Sequence, residues 1–473
     1  VSFPTGFVWG AGTSSYQIEG AVDKHGRGPS VWDAFCRTPG KIKHGDTGDT
    51  ACDHVARYRG DIALMKQIGL GAYRLSVSWP RVMPEGDGAV SEAGLAFYDR
   101  LVDELLGAGI TPYVTTFHWD YPLALYRRGG WLNPSSASWF GAYAGAVVDR
   151  LSDRVRDWIT INEPQVFINH GHTTGENAPG LRLPMGDITR IVHNTLLAHG
   201  LAVRCIRERA RTRARIGWAP VGLVNSPVGD SPAEVEAARA KTFAIEQPGA
   251  WNNTWFNDPV LLGRYPDEVL ELVAEHLPVG WERDMEEMHQ PVDFLGLNIY
   301  QGGRVTLGEG GVAVPVRQET GRARTAFGWS ITPEALYWGP RFFHERYKLP
   351  IVITENGLAN LDWVHLDGKV HDPQRIDYTA RHLGQLRRAI RDGVPVEGYF
   401  HWSLMDNFEW AEGYDQRFGL IYVNFETQQR ILKESAGWYA EVIRTNGRSL
   451  GPFGGESSPA NALGANPAGG GGP

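Results

Sequence analysis

Apolar residues gather into eight short runs rich in β-branched and aromatic side chains: Phe7–Gly12, Ala72–Val77, Thr111–Phe117, Val155–Ile161, Ala214–Leu223, Val292–Ile299, Pro350–Thr354 and Val396–Trp402. Most lack the polar/apolar alternation of a strand with one face in water. They read as parallel strands covered on both faces. Between them the apolar period lengthens to that of a helix. Leu95, Tyr98, Leu101, Val102 and Leu105 fall at i, i+3, i+4 spacing, as do Trp139, Phe140, Tyr143 and Val147. Ile191, Val192, Thr195, Leu196 and His199 repeat it, and Leu383, Leu386 and Ile390 precede the eighth run. Eight strand–helix units predict an α/β fold, a single (β/α)8 TIM barrel with long βα loops, over residues 1–446. A doubly wound open sheet is the alternative. Against it, the first strand lacks a Gly-x-Gly-x-x-Gly turn and no Walker A sequence occurs.

Length alone points elsewhere, since 473 residues would ordinarily mean two or three domains. A loop-rich barrel accounts for them better, because no interior stretch has linker composition. From Arg448 the chain turns to Gly, Pro, Ser, Ala and Asn, so residues 447–473 are expected to form a disordered Gly/Pro-rich tail. No apolar run reaches the roughly 18 residues of a membrane span, so a membrane is not an expected partner. Net charge is −8, which gives no general basic field for nucleic acid. Cys36, Cys52 and Cys205 are too few and too scattered for a disulfide framework or zinc site. The start of the sequence has no basic-then-apolar secretory pattern, and the expected location is cytoplasmic. No metal or organic cofactor is implied, and the chain is compatible with homo-oligomers.

Chemistry gathers where the strands end. Gln17 and Glu19 follow the first, and Arg74 lies in the second. The third ends in His118-Trp119-Asp120 and the fourth in Asn162-Glu163-Pro164. The sixth ends in Asn298-x-Tyr300, the seventh in Glu355-Asn356-Gly357, and the eighth in His401-Trp402, followed by Glu409-Trp410. In a barrel all these ends converge on one mouth, where active sites sit. Two carboxylates there, Glu163 and Glu355, suit glycosidic cleavage: one protonates the leaving oxygen, the other attacks the anomeric carbon or activates water. The pattern leaves retention and inversion open, since that turns on a separation of about 5–5.5 Å or about 6.5–9.5 Å. Arg74 would favour an ionised nucleophile, while the like charge of one Glu would raise the pKa of the other.

The 17 Trp residues then divide. Trp119, Trp329, Trp402 and Trp410 lie at or near the expected mouth, where indole packs on the C–H faces of a sugar ring. Gln17, His118, Asn162 and Glu409 would bond its hydroxyls, whereas Trp158, Trp218 and Trp438 sit in core patterns.

Three signatures at these positions resemble glycoside hydrolase family 1, the β-glucosidase family: Phe7–Gly20 (F-x-W-G-x-G-T-S-S-Y-Q-I-E-G), Thr160–Pro164 (T-I-N-E-P) and Ile353–Gly357 (I-T-E-N-G). Arg74–Arg81, Phe117–Asp120 and Asn407–Leu420 support them, and the resemblance spans roughly residues 3–446. It implies a retaining exo-β-glycosidase acting on small β-glucosides or oligosaccharides, with possible side activity on galactosides or fucosides and transglycosylation. Glu163 would be the acid/base and Glu355 the nucleophile. Asn162 would hold the sugar 2-hydroxyl, with Tyr300 and Arg74 orienting and charge-balancing Glu355. Gln17, His118, Trp402, Glu409 and Trp410 would bind the glycone, Trp119, Asn298 and Phe418 would also bind the substrate, and Trp329 would be the aglycone platform. Glu at 163 rather than Gln argues for O-glycosides, and Glu409 argues against a 6-phosphosugar. Gln165, His170, Asn177 and Tyr121 depart from the usual family residues, and Gln165 and His170 are expected on the aglycone side. A catalytically inactive carbohydrate-binding barrel is the alternative. It would need the aromatics but not both carboxylates.

Overall fold

The computed structural model describes residues 2–247 and 249–451. Eight parallel strands close into a barrel: β1 (Val8–Gly12), β2 (Ala72–Ser76), β3 (Thr111–Phe117), β4 (Asp157–Asn162), β5 (Arg215–Ala219), β6 (Phe294–Asn298), β7 (Ile351–Asn356) and β8 (Val396–Trp402). Each pairs with its neighbours in chain order, and β1 closes the ring on β8 with Val8 opposite Gly398. The four patterned segments are helices, Glu92–Gly107, Ser136–Leu151, Met185–Arg209 and Pro373–Arg391. Their apolar stripes pack on the outside of the strands, which explains why the strands are apolar on both faces.

The barrel interior is filled by one residue from each strand. Val8, Ala72, Tyr113, Ile159, Ala219, Phe294, Val352 and Phe400 form a closed cluster at its base. Large rings are matched by missing side chains: a Cβ on Gly10 would sit 2.5 Å from the Phe400 ring, and one on Gly217 2.2 Å from the Phe294 ring. This plug leaves the other end of the barrel open for chemistry.

The fifth expected strand, 214–223, is shorter in the structure. It stops at Ala219 before Pro220, which has no N–H for the ladder. The chain then leaves the barrel, and Asn225–Pro227 joins a small sheet with Gly303–Leu307 and Ala313–Pro315. Of the segment expected as a tail, the first residues belong to the fold: Arg448–Leu450 make a helical turn, and the Leu450 side chain is buried. The rest of that expectation, residues 452–473, lies outside the described residues. Among the described residues no helix is long and apolar enough to cross a membrane.

Candidate active site

The C-terminal ends of the strands surround a cavity of about 700 Å³. Two strands lose register with their neighbours as they reach it. The β4–β5 pairing shifts between Ile159 and Asn162, and the β6–β7 pairing shifts between Ile353 and Glu355. Such slips re-aim side chains at a barrel rim. Here they bring the Asn162–Glu163 and Glu355–Asn356 pairs to the mouth. Glu163 then caps the short helix Pro164–Ile168 in left-handed backbone, at φ 46°. Trp119 (φ 79°) and Trp410 (φ 52°), which also line the cavity, share that conformation. Each such residue costs about 1–3 kcal/mol that the surroundings must offset.

A continuous hydrogen-bond frame joins the two carboxyl groups. Arg74 Nη1 donates to Glu355 Oε1 at 2.5 Å, and its Nη2 donates to Asn162 Oδ1 at 2.5 Å. Asn298 Nδ2 donates to Asn162 Oδ1 (3.0 Å) and to Glu163 Oε1 (2.9 Å). Thr354 fixes Asn298 by donating to its Oδ1 at 2.6 Å, and Tyr300 donates its hydroxyl to Glu355 Oε2 at 2.6 Å. Both oxygens of Glu355 thus accept from strong donors, one of them a buried cation. Glu163 has only an amide donor. Burial, then repulsion from Glu355, holds its pKa well above the usual carboxylate range. Two carboxyls in one cavity therefore sit in unlike surroundings, Glu355 between two strong donors and Glu163 with its pKa raised.

The side expected to hold the glycone gathers residues that follow β1, β3 and β8. Gln17 Nε2 bridges Asn407 Oδ1 (3.0 Å), the Phe408 carbonyl (2.9 Å) and Glu409 Oε2 (3.2 Å). Burial, and then repulsion from Glu355, pushes Glu409 up to about 8. His118 accepts from Asn162 Nδ2 through Nε2 at 3.2 Å, which assigns its proton to Nδ1. Burial and nearby Arg74 hold its pKa well below the usual value, so the imidazole is neutral. Its buried Nδ1 has no partner in the structure and is a donor in waiting. The His118 ring stacks on Trp402 at 5.6 Å and on Trp410 at 5.9 Å, and Trp410 in turn meets Trp119 at 4.6 Å.

Twelve of the sixteen residues singled out from sequence line the cavity: Glu163, Glu355, Tyr300, His118, Trp119, Asn298, Trp329, Trp402, Glu409, Trp410, Phe418 and His170. Arg74, Asn162 and Gln17 lie just beneath it and act through those they bond. Gln165 is a correction. It is fully buried, with Oε1 accepting from the Val221 N–H at 3.2 Å and Nε2 turned to the Val221 and Asn252 carbonyls. Successive helical residues point in different directions, so Val166 faces the cavity in its place.

Two aromatic lining residues were not foreseen. Phe327 stacks on Trp329 at 4.5 Å, and Trp251 meets His170 edge-on at 5.4 Å. Each is a large ring in an otherwise polar or glycine-bearing loop, the one signal that could have marked them. Among the described residues no group of three His, Cys, Asp or Glu side chains is placed to hold a metal ion.

The family model described as Glycosyl hydrolase family 1 matches residues 1–448. Beta-glucosidase A of Thermotoga maritima is 45% identical over 449 residues, which cover 94% of this chain and 98% of the relative. The bifunctional beta-D-glucosidase/beta-D-fucosidase of Bifidobacterium breve is 40% identical over 467 residues, covering 93% and 98%. Among solved structures, the Thermotoga maritima beta-glucosidase in complex with glucoimidazole matches with a TM-score of 0.86 at 45% identity, over 94% of this chain and 99% of that one. The likeness runs through the barrel and the loops that carry the carboxyl pair, and the chain belongs to glycosyl hydrolase family 1.

Proposed function

We propose that the chain is a retaining, exo-acting β-glucosidase that removes terminal β-D-glucosyl residues from cello-oligosaccharides and from aryl or alkyl β-glucosides. The observation that carries this is the carboxyl pair in one hydrogen-bond frame, with Glu355 held by Arg74 and Tyr300 and the Glu163 pKa raised by burial. Glu163 gives its proton to the glycosidic oxygen as Glu355 attacks the anomeric carbon, the aglycone leaves, and a glycosyl-enzyme forms. That step removes the charge of Glu355, and with it the repulsion that raised the Glu163 pKa. Glu163 then takes a proton from water, which attacks the anomeric carbon and releases Glu355. His118 Nδ1 and Glu409 meet the glucosyl hydroxyls, with Gln17 holding Glu409 from beneath, and Trp402 and Trp410 meet its faces. Relatives named beta-glucosidase A and 1,4-beta-D-glucan glucohydrolase support the glucosyl preference. The bifunctional relative supports fucoside side activity.

Azide separates the two roles. With an activated aryl β-glucoside, Glu355→Ala plus azide should regain turnover and yield α-glucosyl azide. Glu163→Ala plus azide should yield the β-azide. Near-wild-type activity of Glu355→Ala without azide, or the two anomers exchanged, would overturn the assignment.

A further inference from the structure

The cavity changes in side-chain chemistry from floor to rim. Its buried floor carries three carboxyl groups, Glu163, Glu355 and Glu409. The more exposed rim carries Lys41, His170, Glu176, Arg182 and Glu412. Both rim acids have other partners: Glu176 is bonded to His170 at 2.9 Å, and Glu412 pairs with Lys43 at 3.2 Å. The two rim cations have no carboxylate partner among the described residues. Arg182 Nε donates to the Thr174 carbonyl at 2.9 Å and Lys41 Nζ to the Gly175 carbonyl at 3.2 Å. Adjacent carbonyls thus tether two positive charges to one short segment. Among the described residues the terminal guanidinium nitrogens of Arg182 have no hydrogen-bond partner.

A neutral oligosaccharide gives such a pair nothing to neutralise. The chain as a whole is acidic, at −8, so unmatched cations beside this mouth run against the general field. The space they border suits a flat ring. Trp251, 46% exposed, and His170 line it on the β4–β5 side, and Phe327 and Trp329 line it on the β6–β7 side.

We propose that the aglycone side of this cavity selects aryl β-glucosides whose aromatic aglycone carries an anionic group, such as a carboxylate, at the end remote from the glycosidic oxygen. The glucosyl unit occupies the acidic floor, the aryl ring lies among the rim aromatics, and the anion meets Arg182 and Lys41. The guanidinium fork suits a carboxylate in two-point contact. This rests on the β-glucosidase reading of the same site and adds the class of aglycone.

The test compares the 4-O-β-D-glucoside of 4-hydroxycinnamate with that of its primary amide. For each enzyme the acid/amide ratio of kcat/KM is measured, and comparison with wild type cancels the difference in leaving group. The ratio should fall about threefold in Arg182→Gln and again in the Arg182→Gln, Lys41→Gln double variant, the scale of two partly exposed ion pairs. It should fall further in Arg182→Glu, and about 0.5 M salt should carry the wild-type ratio toward the variants. An unchanged ratio in both Arg182→Gln and Arg182→Glu would overturn the inference while leaving the β-glucosidase reading intact. Failure of wild type to cleave the amide and a plain aryl β-glucoside would overturn that reading, and this inference with it.

Discussion

At the scale of single residues, the proposed chemistry depends on the raised pKa of Glu163. Burial is the larger cause of the raised Glu163 pKa and repulsion from Glu355 the second, with Glu409 adding to it. The first step needs Glu163 protonated, so its rate should decline as pH rises through the Glu163 pKa, not as pH falls. Glu355→Gln removes the repulsion but not the burial, so the Glu163 pKa should move partway down. A carbon-13 NMR titration of the Glu side chains would show it, and an unmoved titration would mean that the two groups are not coupled. Both residues were legible in the sequence because the strand ends that carry them converge on one mouth and lie in the T-I-N-E-P and I-T-E-N-G signatures. The left-handed backbone of Glu163 was not, since it is imposed by the turn into Pro164–Ile168. Gln165 was misread because its neighbours line the cavity while its own side chain is spent on the backbone of the β5 loop.

At the scale of elements, the loop after β8 carries Glu409, Trp410 and Phe418 and is fixed from behind by buried charge. Lys433 Nζ donates to Asp362 Oδ2 (2.5 Å) and Asp406 Oδ1 (2.6 Å), all three side chains fully buried. Asp406 also accepts from Arg417 at 2.6 Å and from the Gly419 N–H at 3.0 Å, on either side of Phe418. Arg375 adds a bond to Asp362 at 2.7 Å and another to the Arg417 carbonyl at 2.8 Å. Neighbouring Lys433 and Arg375 hold the Asp362 pKa down to about 2 against the effect of burial. Lys433→Met would leave two buried carboxylates short of a counter-charge, an effect of about 3–5 kcal/mol. Urea denaturation should report that loss, and KM for an aryl β-glucoside should rise as Phe418 loosens. Unchanged stability would show that the remaining arginines suffice. None of this network was legible in advance, because its members are far apart in sequence and follow no period. Trp251 and Phe327 escaped for the same reason: loops carry no repeating pattern to say which way a side chain faces. The strands and the four patterned helices were legible because burial on both sheet faces and along one helical stripe writes a period into the chain.

At the scale of the whole molecule, closure of the barrel turns scattered strand ends into one site. Arg74 on β2, Asn162 on β4, Asn298 on β6 and Glu355 on β7 meet in one frame only because the ring is closed and every strand points the same way. The plug of Val8, Ala72, Tyr113, Ile159, Ala219, Phe294, Val352 and Phe400 below and the aromatic cavity above give the two ends of the barrel separate tasks, packing and chemistry. The central claim is that Glu355 forms a covalent bond to the sugar. A 2-deoxy-2-fluoro-β-D-glucoside with a good leaving group tests it most directly, because the fluorine slows release of the intermediate more than its formation. Incubation should add one fluoroglucosyl unit to the intact mass, and peptide mapping should place it on Glu355. No adduct despite turnover of ordinary β-glucosides, or an adduct on Glu163, would contradict the account.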